Sequence, residues 1–469
     1  MIMGRNKTLL KNTSFVVIGS IGSKLMGFIM LPLYTKWMSP GEFGITDIIS
    51  TYALLLLNVV AFDISDAIFV FPAGAKKDDI KKYYTSGLLF QLFCSLICAI
   101  IFLSISCISS NNTFFKYIWF IYGVLISALF QKYTQDFCRG IKKMSVFSYT
   151  GIIQSASMAG LSILLIPKLG LKGFVWATIL SNIITTLFTV LYSKSYIFFN
   201  IKCFNIYSLL EMLKYSFPLI PTALMWWLIS SLNRPLLEEY CGVFAIGLFA
   251  VANKLPSLVN LFFGFFQQAW VVTVLDEYKK KDFSNYYNKM FRLIFSIQVL
   301  GCIIVMLFAK LFITLMTTQE YEEAWMYIPL LSLSVLLSNT SAFCGTIFTA
   351  YRKSKYIFYS VIVGGIVAIV ANFLLIPVYG IWGTCIAICI SHGCSTIFRI
   401  LMSSNIVKFE NTTFIIGQLS VLILCYIGIT TNNIVIKFFM IALSIIMFII
   451  LNRESAKILF KFVTKKKSH

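Results

Sequence analysis

The chain has 469 residues, of which 59% are hydrophobic and 12% are charged. Soluble globular proteins carry about 25% charged residues, so this composition is typical of an integral membrane protein. The net charge of +21 would suit a nucleic-acid-binding protein. However, the cations lie mainly between apolar runs, and the sequence holds no RNA- or DNA-binding signature, so we predict no nucleic-acid partner.

Apolar runs long enough to cross a bilayer recur along the whole chain. A membrane-spanning helix needs about 20 apolar residues, and on this criterion the sequence predicts an all-α protein with about fourteen transmembrane helices. No connection is long enough to hold a second domain. The predicted spans, numbered 1 to 14, cover residues 13–33, 43–71, 83–108, 114–138, 147–167, 173–192, 215–236, 243–268, 291–315, 325–350, 356–377, 381–403, 413–430 and 434–452.

Basic residues are concentrated at the N-terminus, in every second connection and in the C-terminal tail. These segments hold most of the 39 lysines and arginines. Because basic residues mark the cytoplasmic side of a membrane protein, the alternation predicts an even number of spans with both termini in the cytoplasm. The same distribution accounts for most of the net charge.

An internal repeat relates the two halves of the sequence. The motif Ile-Pro-x-x-Gly-x-x-Gly begins at Ile166 and again at Ile376, and the preceding connections align at the same offset. Parallel repeats are typical of transporters, which handle substrate near mid-membrane between their halves. We therefore predict two six-helix bundles around a central cavity, over residues 1–200 and 201–405. Residues 406–469 would form two extra transmembrane helices and a basic tail.

Two lysines lie near the middle of predicted spans. Lys24 is in span 1 and Lys254 is in span 8. A cation at mid-bilayer costs several kcal/mol, so it normally faces the protein interior or water. Each lysine either pairs with a carboxylate of another helix or holds an anionic ligand. Arg234, near the outer end of span 7, either joins them or extends to the membrane interface.

Span 8 also carries polar residues at helical spacing. Asn253, Ser257, Asn260 and Gln267 recur so that one face of the helix is polar through much of the membrane. Small and hydroxyl residues also serve helix packing, but the amides and the lysine together favour a wall that faces water.

Candidates for ion coupling are the aspartates of span 2. Any of them would titrate in a cycle driven by H+ or Na+, and no pattern selects one: Asp47, Asp63 and Asp66. In span 4, Lys132, Asp136 and Arg139 share one helix face, which favours an internal ion-pair cluster.

The sequence contains no hydrolase, kinase, P-loop or Rossmann signature. Cys385, Cys389 and His392 share a helix face, but buried cysteine usually packs as a small apolar residue. We therefore predict that the protein is not an enzyme, with no catalytic residue, no metal and no cofactor.

Three further stretches of the sequence stand out, at residues 24–44, 217–223 and 247–254. They resemble the oligosaccharide flippase family, the polysaccharide-biosynthesis transporters of the multidrug/oligosaccharidyl-lipid/polysaccharide exporter superfamily. The sequence departs from the family at two positions. Asn233 precedes Arg234 where the family often has aspartate, and Val70 stands where it often has arginine.

The resemblance implies a flippase of the bacterial inner membrane. Such proteins move undecaprenyl-pyrophosphate-linked oligosaccharides by alternating access, for the synthesis of lipopolysaccharide O-antigen or capsule. Lys24, Lys254 and Arg234 would then hold the pyrophosphate, the polar face of span 8 would bind sugar hydroxyls, and Trp226 would either stack on a sugar or pack. The implied partners are the lipid-linked oligosaccharide, membrane lipids, H+ or Na+, a polysaccharide polymerase and glycosyltransferases.

Three other functions stay open on the sequence. One is a cation-coupled multidrug exporter, which the mid-span lysines disfavour because most drugs are cationic. A second is a flippase for the peptidoglycan precursor. The third is a membrane-embedded polymerase or glycosyltransferase, which the short outer connections disfavour.

Overall fold

The computed structural model describes residues 26–106, 113–453 and 455, and the part of the chain it describes is helical, without strands. The helices are α1 (Leu31–Trp37), α2 (Pro40–Val60), α3 (Ile64–Val70), α4 (Lys77–Ser106), α5 (Thr113–Lys116), α6 (Ile118–Gly140), α7 (Met144–Leu169), α8 (Leu171–Ser193), α9 (Ile206–Ser216), α10 (Ile220–Ser231), α11 (Asn233–Ala252), α12 (Lys254–Glu277), α13 (Phe283–Met316), α14 (Ile328–Ala350), α15 (Ser354–Ser404), α16 (Thr412–Thr430) and α17 (Ile434–Leu451).

The helices confirm the predicted all-α, multi-pass membrane protein. Eleven stretches of the described residues are long and apolar enough to cross a membrane. Because the chain turns at Gly242 inside α11 and at Gly380 inside α15, these stretches contain twelve of the predicted spans. Helix α6 corresponds to span 4. Most of span 1 lies outside the described residues.

The chain divides into two compact units. Unit 1 comprises residues 1–227 and 242–247, and unit 2 comprises residues 228–241 and 248–469. In unit 1, Ile49, Ile121 and Leu125 belong to a buried core cluster. In unit 2, the rings of Trp270 and Phe343 stack with centroids 5.0 Å apart. Each unit therefore has its own core.

The backbone reproduces the sequence repeat. Lys142 and Arg352 both have positive φ, at 62° and 54°. Gly170 and Gly380 also match, with φ of 53° and 55° and strongly negative ψ. Since this conformation is nearly restricted to glycine, the repeated glycine explains why the chain turns at both positions.

The start of α2 makes a close crossing inside unit 1. Ser39 and Glu42 form a reciprocal capping box at the N-terminus of α2. One turn later, a Cβ on Gly44 would lie 2.0 Å from the carbonyl oxygen of Val243, and a Cβ on Gly247 would lie 1.9 Å from that of Pro40. Only glycine fits at Gly44 and Gly247, so two of the family-like stretches contact each other.

The last two helices form a pair within unit 2. Gln418 of α16 donates a hydrogen bond to Asn452, at the end of α17, over 2.9 Å. Nε of Arg292 on α13 donates to the side chain of Asn411 before α16, over 2.6 Å. The first contact joins α16 to α17, and the second joins the pair to α13.

Candidate functional site

Lys254 lies about a third of the way along a long helical path. The path begins at Val243, after the turn at Gly242, and continues through Asn253 to the end of α12. At 1.5 Å per residue, Lys254 is about 17 Å along it, which is roughly half of a 30 Å hydrocarbon core. The lysine is half-buried. Its predicted partner Lys24 lies outside the described residues.

The backbone around Lys254 is modified by a proline. Pro256 has no N–H and cannot bond the carbonyl of Ala252. The helical bonds continue on either side, from Asn253 N–H to Phe249 at 3.0 Å and from Ser257 N–H to Asn253 at 3.2 Å. The hydroxyl of Ser257 donates to the carbonyl of Lys254 at 2.6 Å. The helical path is therefore interrupted only at Asn253, between α11 and α12, and helical hydrogen bonds resume after the missing donor.

The predicted polar face of span 8 divides into two parts. Ser257 and Asn260 are exposed and Asn253 is half-buried. Gln267 donates from Nε2 to the carbonyl of Ala342 on α14 at 3.1 Å, and its Oε1 is buried. Gln267 thus joins α12 to α14, while the residues nearer Lys254 are the accessible ones.

Arg234 lies at a break between α10 and α11. The break is at Leu232, and Pro235 follows closely. The guanidinium of Arg234 donates to the carbonyl of Ser230 and to Oδ1 of Asn233 at 3.0 Å. It also lies 5.0 Å from the ring centroid of Phe249. Since Arg234 is held by groups of its own unit, its position is fixed by the local fold.

In unit 1, two of the three aspartates of span 2, Asp63 and Asp66, lie at a second helix break. Phe62 and Asp63, between α2 and α3, have φ of 50° and 49°, a left-handed conformation that side chains disfavour. The buried carboxylate of Asp63 pairs with Nζ of Lys132 at 2.9 Å, and Asp66 lies 3.4 Å from the same nitrogen. The lysine therefore holds both carboxylates of the break.

The remaining charges of α6 form a separate pair. Nη1 of Arg139 donates to Asp136 at 2.9 Å, and its guanidinium lies 4.3 Å from the centroid of the Phe69 ring. The internal ion-pair cluster predicted for span 4 thus extends across to span 2, through Lys132.

Two other predicted residues of unit 1 lie apart from this cluster. Asp47 is half-buried on α2. Trp226 is 42% exposed, whereas its neighbour Trp227 is buried and donates from its indole to the carbonyl of Thr51 at 3.1 Å. Of these two neighbouring tryptophans, Trp227 is therefore the one that packs in the interior of unit 1.

The sequence prediction missed a buried arginine in unit 2. Arg399 lies within α15 and is 4% exposed. Its Nε donates to Ser360 at 2.8 Å and its Nη1 donates to the carbonyl of Ser341 at 2.9 Å. Within the described ranges it forms no ion pair with a carboxylate. Its place inside the apolar run 381–403 was the signal that could have revealed it.

A polar network in unit 1 was missed as well. Nε2 of Gln154 on α7 donates to Asn182 on α8 at 2.8 Å, and Asn182 donates to Ser127 on α6 at 3.1 Å. Gln131 and Gln154 also bond each other. Three helices are thus joined by amides in an apolar environment. The spacing of these residues within each helix gave no indication that they meet.

Comparisons with known proteins agree with this fold. The structure is similar to that of a protein described as the lipid II flippase MurJ, in an inward closed conformation. That match has a TM-score of 0.73 at 14% identity and covers 95% of this chain and 99% of that one. A multidrug resistance MATE family transporter of the MOP superfamily, in an inward-facing conformation, matches with a TM-score of 0.64 at 14% identity, over 83% and 97% of the two chains. This chain therefore has a fold similar to those of the two proteins.

The sequence comparisons add the family. The profile of the family described as "Polysaccharide biosynthesis protein" matches residues 9–275, which is more than half of the chain. An uncharacterized membrane protein of Methanocaldococcus jannaschii is 22% identical over 398 residues, or 81% of this chain and 94% of that protein. The chain belongs to the polysaccharide biosynthesis protein family.

Proposed function

We propose that this protein is a flippase for undecaprenyl-pyrophosphate-linked oligosaccharides, working by alternating access in a bacterial inner membrane with both termini in the cytoplasm. It would supply O-antigen or capsule synthesis and act between glycosyltransferases and a polymerase. The single observation that carries the proposal is Lys254. It places a cation about 17 Å along a membrane-spanning helix, one turn from exposed Ser257, in a chain of the polysaccharide biosynthesis family.

Each part of the substrate has a matching group in this proposal. The pyrophosphate is anionic and must not meet bare hydrocarbon, so Lys254 binds it together with Lys24, and Arg234 adds a third cation. Ser257 and Asn260 bind sugar hydroxyls, aided by Asn253, and the half-exposed ring of Trp226 covers a sugar face. The polyprenyl chain stays in the lipid.

Ion coupling is assigned to the helix break at Asp63 rather than to Asp47. Asp63, Asp66 and Lys132 lie within salt-bridge distance, and Asp136 and Arg139 follow on the same helix. Protonation of Asp63, or its binding of Na+, weakens the bond that holds the left-handed backbone at Phe62 and Asp63. The backbone at Phe62 and Asp63 can then leave the left-handed conformation. In this way ion binding would change the angle between α2 and α3.

An export assay tests the cation argument. In a strain that lacks the gene, Lys254→Ala and Lys24→Ala should each reduce surface polysaccharide by about tenfold or more, because a charge-assisted contact contributes about 1.5–3 kcal/mol. Lys254→Arg retains the charge and should export better than Lys254→Ala. Lys281→Ala, an exposed lysine outside the helices, is the control. Normal export in both alanine variants and in their double variant would reject the charge argument.

A vesicle assay separates this proposal from two alternatives. The fold similarity favours a lipid II flippase as the second candidate, because the best-scoring structure described above carries that name, and a drug exporter is the third. Purified protein in vesicles should move the oligosaccharide-linked lipid, and a pH or Na+ gradient should accelerate movement in the wild type but not in Asp63→Asn. Transport of lipid II alone, or of a cationic drug alone, would replace the proposal with the corresponding alternative.

A further inference from the structure

Residues 194–217, which connect α8 to α10, form an exposed segment that we call the strap. It contains two short 3-10 helices and the amphipathic α9. Lys194, Lys202 and Lys214 are exposed along it, and Glu211 is its one acid. Between the lysines it exposes large apolar or aromatic side chains at Tyr196, Ile197, Phe199, Ile201, Phe204, Ile206, Tyr207, Leu210, Tyr215 and Phe217.

The strap is fixed to α4 by two adjacent hydroxyl groups. Thr85 accepts from the N–H of Asn200 at 3.1 Å and donates to the carbonyl of Phe198 at 3.2 Å. Ser86 accepts from the N–H of Asn205 at 2.9 Å and donates to the carbonyl of the same residue at 3.1 Å. The buried residues Thr85 and Ser86 thus bond the backbone of the strap at Phe198, Asn200 and Asn205. The strap is an attached element with a defined outer face.

The inner face of α9 packs against the short helix that follows the break at Asp63. Leu209 and Met212 are buried in one cluster with Ile64 and Ile68 of α3. The hydroxyl of Tyr83 on α4 donates to Glu211 at 3.0 Å, so the only acid of the strap is already engaged by the protein. The outer face is left with three lysines and the apolar side chains.

The position of the strap limits what covers this outer face. The strap follows α8, which is long and apolar enough to span a membrane, and its α9 begins the next such stretch, Ile206–Ala252. The strap therefore lies where two membrane-spanning stretches meet, at the level where lipid head groups begin. Helices with lysines beside aromatic and aliphatic residues lie in this layer with their apolar side among the upper acyl chains. Tyrosine is also enriched there.

The connection between α12 and α13 provides a contrast within the same chain. Lys279, Lys280 and Lys281 are exposed there, but acids at positions 276, 277 and 282 balance them, and Lys280 pairs with Glu277 at 2.6 Å. That connection has no excess charge to offer an anionic surface, whereas the strap has an excess of two cations.

We propose that the strap is a binding surface for anionic phospholipid. The lysines contact the phosphate groups of lipids such as phosphatidylglycerol, and the apolar side chains between them enter the top of the acyl layer. Because the inner face of α9 packs on α3, the lipid holds the strap against the helix that carries Asp66. The proposal is independent of which substrate the protein transports.

Hydrogen–deuterium exchange of the full-length protein in nanodiscs tests this assignment. Backbone amides of the strap should exchange more slowly when phosphatidylglycerol replaces part of the phosphatidylcholine. Lys194→Gln, Lys202→Gln and Lys214→Gln together should abolish the difference, with the affinity for anionic lipid falling roughly fivefold per lysine. High salt should have the same effect, since the Debye length falls to about 3 Å at 1 M.

A matched triple variant serves as the control. Lys279→Gln, Lys280→Gln and Lys281→Gln remove the same number of charges and should leave the lipid effect on the strap unchanged. Equal exchange of the wild-type strap in both lipid mixtures would overturn the proposal. So would a lipid effect that persists after the three strap lysines are removed, or one that the control variant also abolishes. Neither result depends on transport, so failure here is distinguishable from failure of the proposed function.

Discussion

In unit 1, the buried carboxylate of Asp63 has Lys132 as a counter-ion at 2.9 Å, whereas in unit 2 the buried guanidinium of Arg399 has a hydroxyl and a carbonyl as its described partners. The backbones of the two units repeat each other at Lys142 and Arg352, so the difference lies in the side chains. The repeat therefore preserves the backbone geometry, while the groups that compensate a buried charge differ between the two units.

The polar interiors differ in the same way. Gln131, Gln154 and Asn182 join three helices of unit 1, and the positions 210 residues later hold Ser341, Gly364 and His392, where the amides are lost. The guanidinium of Arg399 donates to the carbonyl of Ser341, which is one of these three positions, and lies close against Gly345. Unit 2 thus accommodates a cation where unit 1 has neutral hydrogen bonding.

The largest expected effect comes from removing one cation from each unit, which tests whether the units differ in how they neutralise buried charge. Lys132→Met leaves Asp63 buried without its counter-ion and should lower the free energy of unfolding by about 3 kcal/mol. Arg399→Met leaves no carboxylate behind and relieves a buried charge, so it should change stability by less than about 1 kcal/mol. Thermal unfolding of the purified proteins in detergent measures both.

The double variant Asp63→Asn with Lys132→Met is the control for this pair. It removes both charges at once and should recover most of the stability lost in Lys132→Met. Equal destabilisation by Lys132→Met and Arg399→Met would mean that the two units do not differ in how they neutralise charge.

A smaller loss of stability is expected from substitutions at the turn that the two units share. A Cβ on Gly173 would lie 2.4 Å from the carbonyl oxygen of Leu165, and one on Gly383 would lie 2.1 Å from that of Leu375. Gly173→Ala and Gly383→Ala should each destabilise the protein by about 2 kcal/mol. The expectation is the same for both because the backbone turn is the same.

Two glycines with open surroundings provide matched controls. Gly160 in unit 1 and Gly264 in unit 2 have no atom within 4 Å of a built Cβ, and both are helical, so alanine should be neutral or slightly stabilising there. Unequal effects of the two test substitutions would show that the two turns are not geometrically equivalent.

Sequence patterns were sufficient for the helices and for the repeat. Apolar run length is a local property, and a motif such as that at Ile166 and Ile376 can be compared directly along the chain. The glycine at position 380 even located the turn inside α15, because a positive φ favours that residue. These features depend on residues close in sequence.

Pairings across the fold were not accessible in the same way. Asp63 and Lys132 were both recognised, but which acid each cation contacts depends on helix orientation, which spacing within one helix does not determine. Arg399 was missed because a single charge near the end of an apolar run looks like the start of a connection. Gln267 has the helical spacing of a water-facing residue and nevertheless bonds α14, because amide side chains serve helix contacts as readily as ligands.

The crossing of Gly44 and Gly247 has a consequence for biosynthesis. Residues 242–247 belong to unit 1, yet residues 228–241, which precede them on the ribosome, belong to unit 2. Because Gly247 packs against Pro40, unit 1 cannot complete its packing until more than half of the chain has been made. In a nascent chain that ends at Trp227, Gly44 of α2 does not yet have Val243 and Gly247 to pack against. Translation order and packing order therefore differ, and the membrane-insertion machinery must hold an unfinished first unit while part of the second is already being inserted.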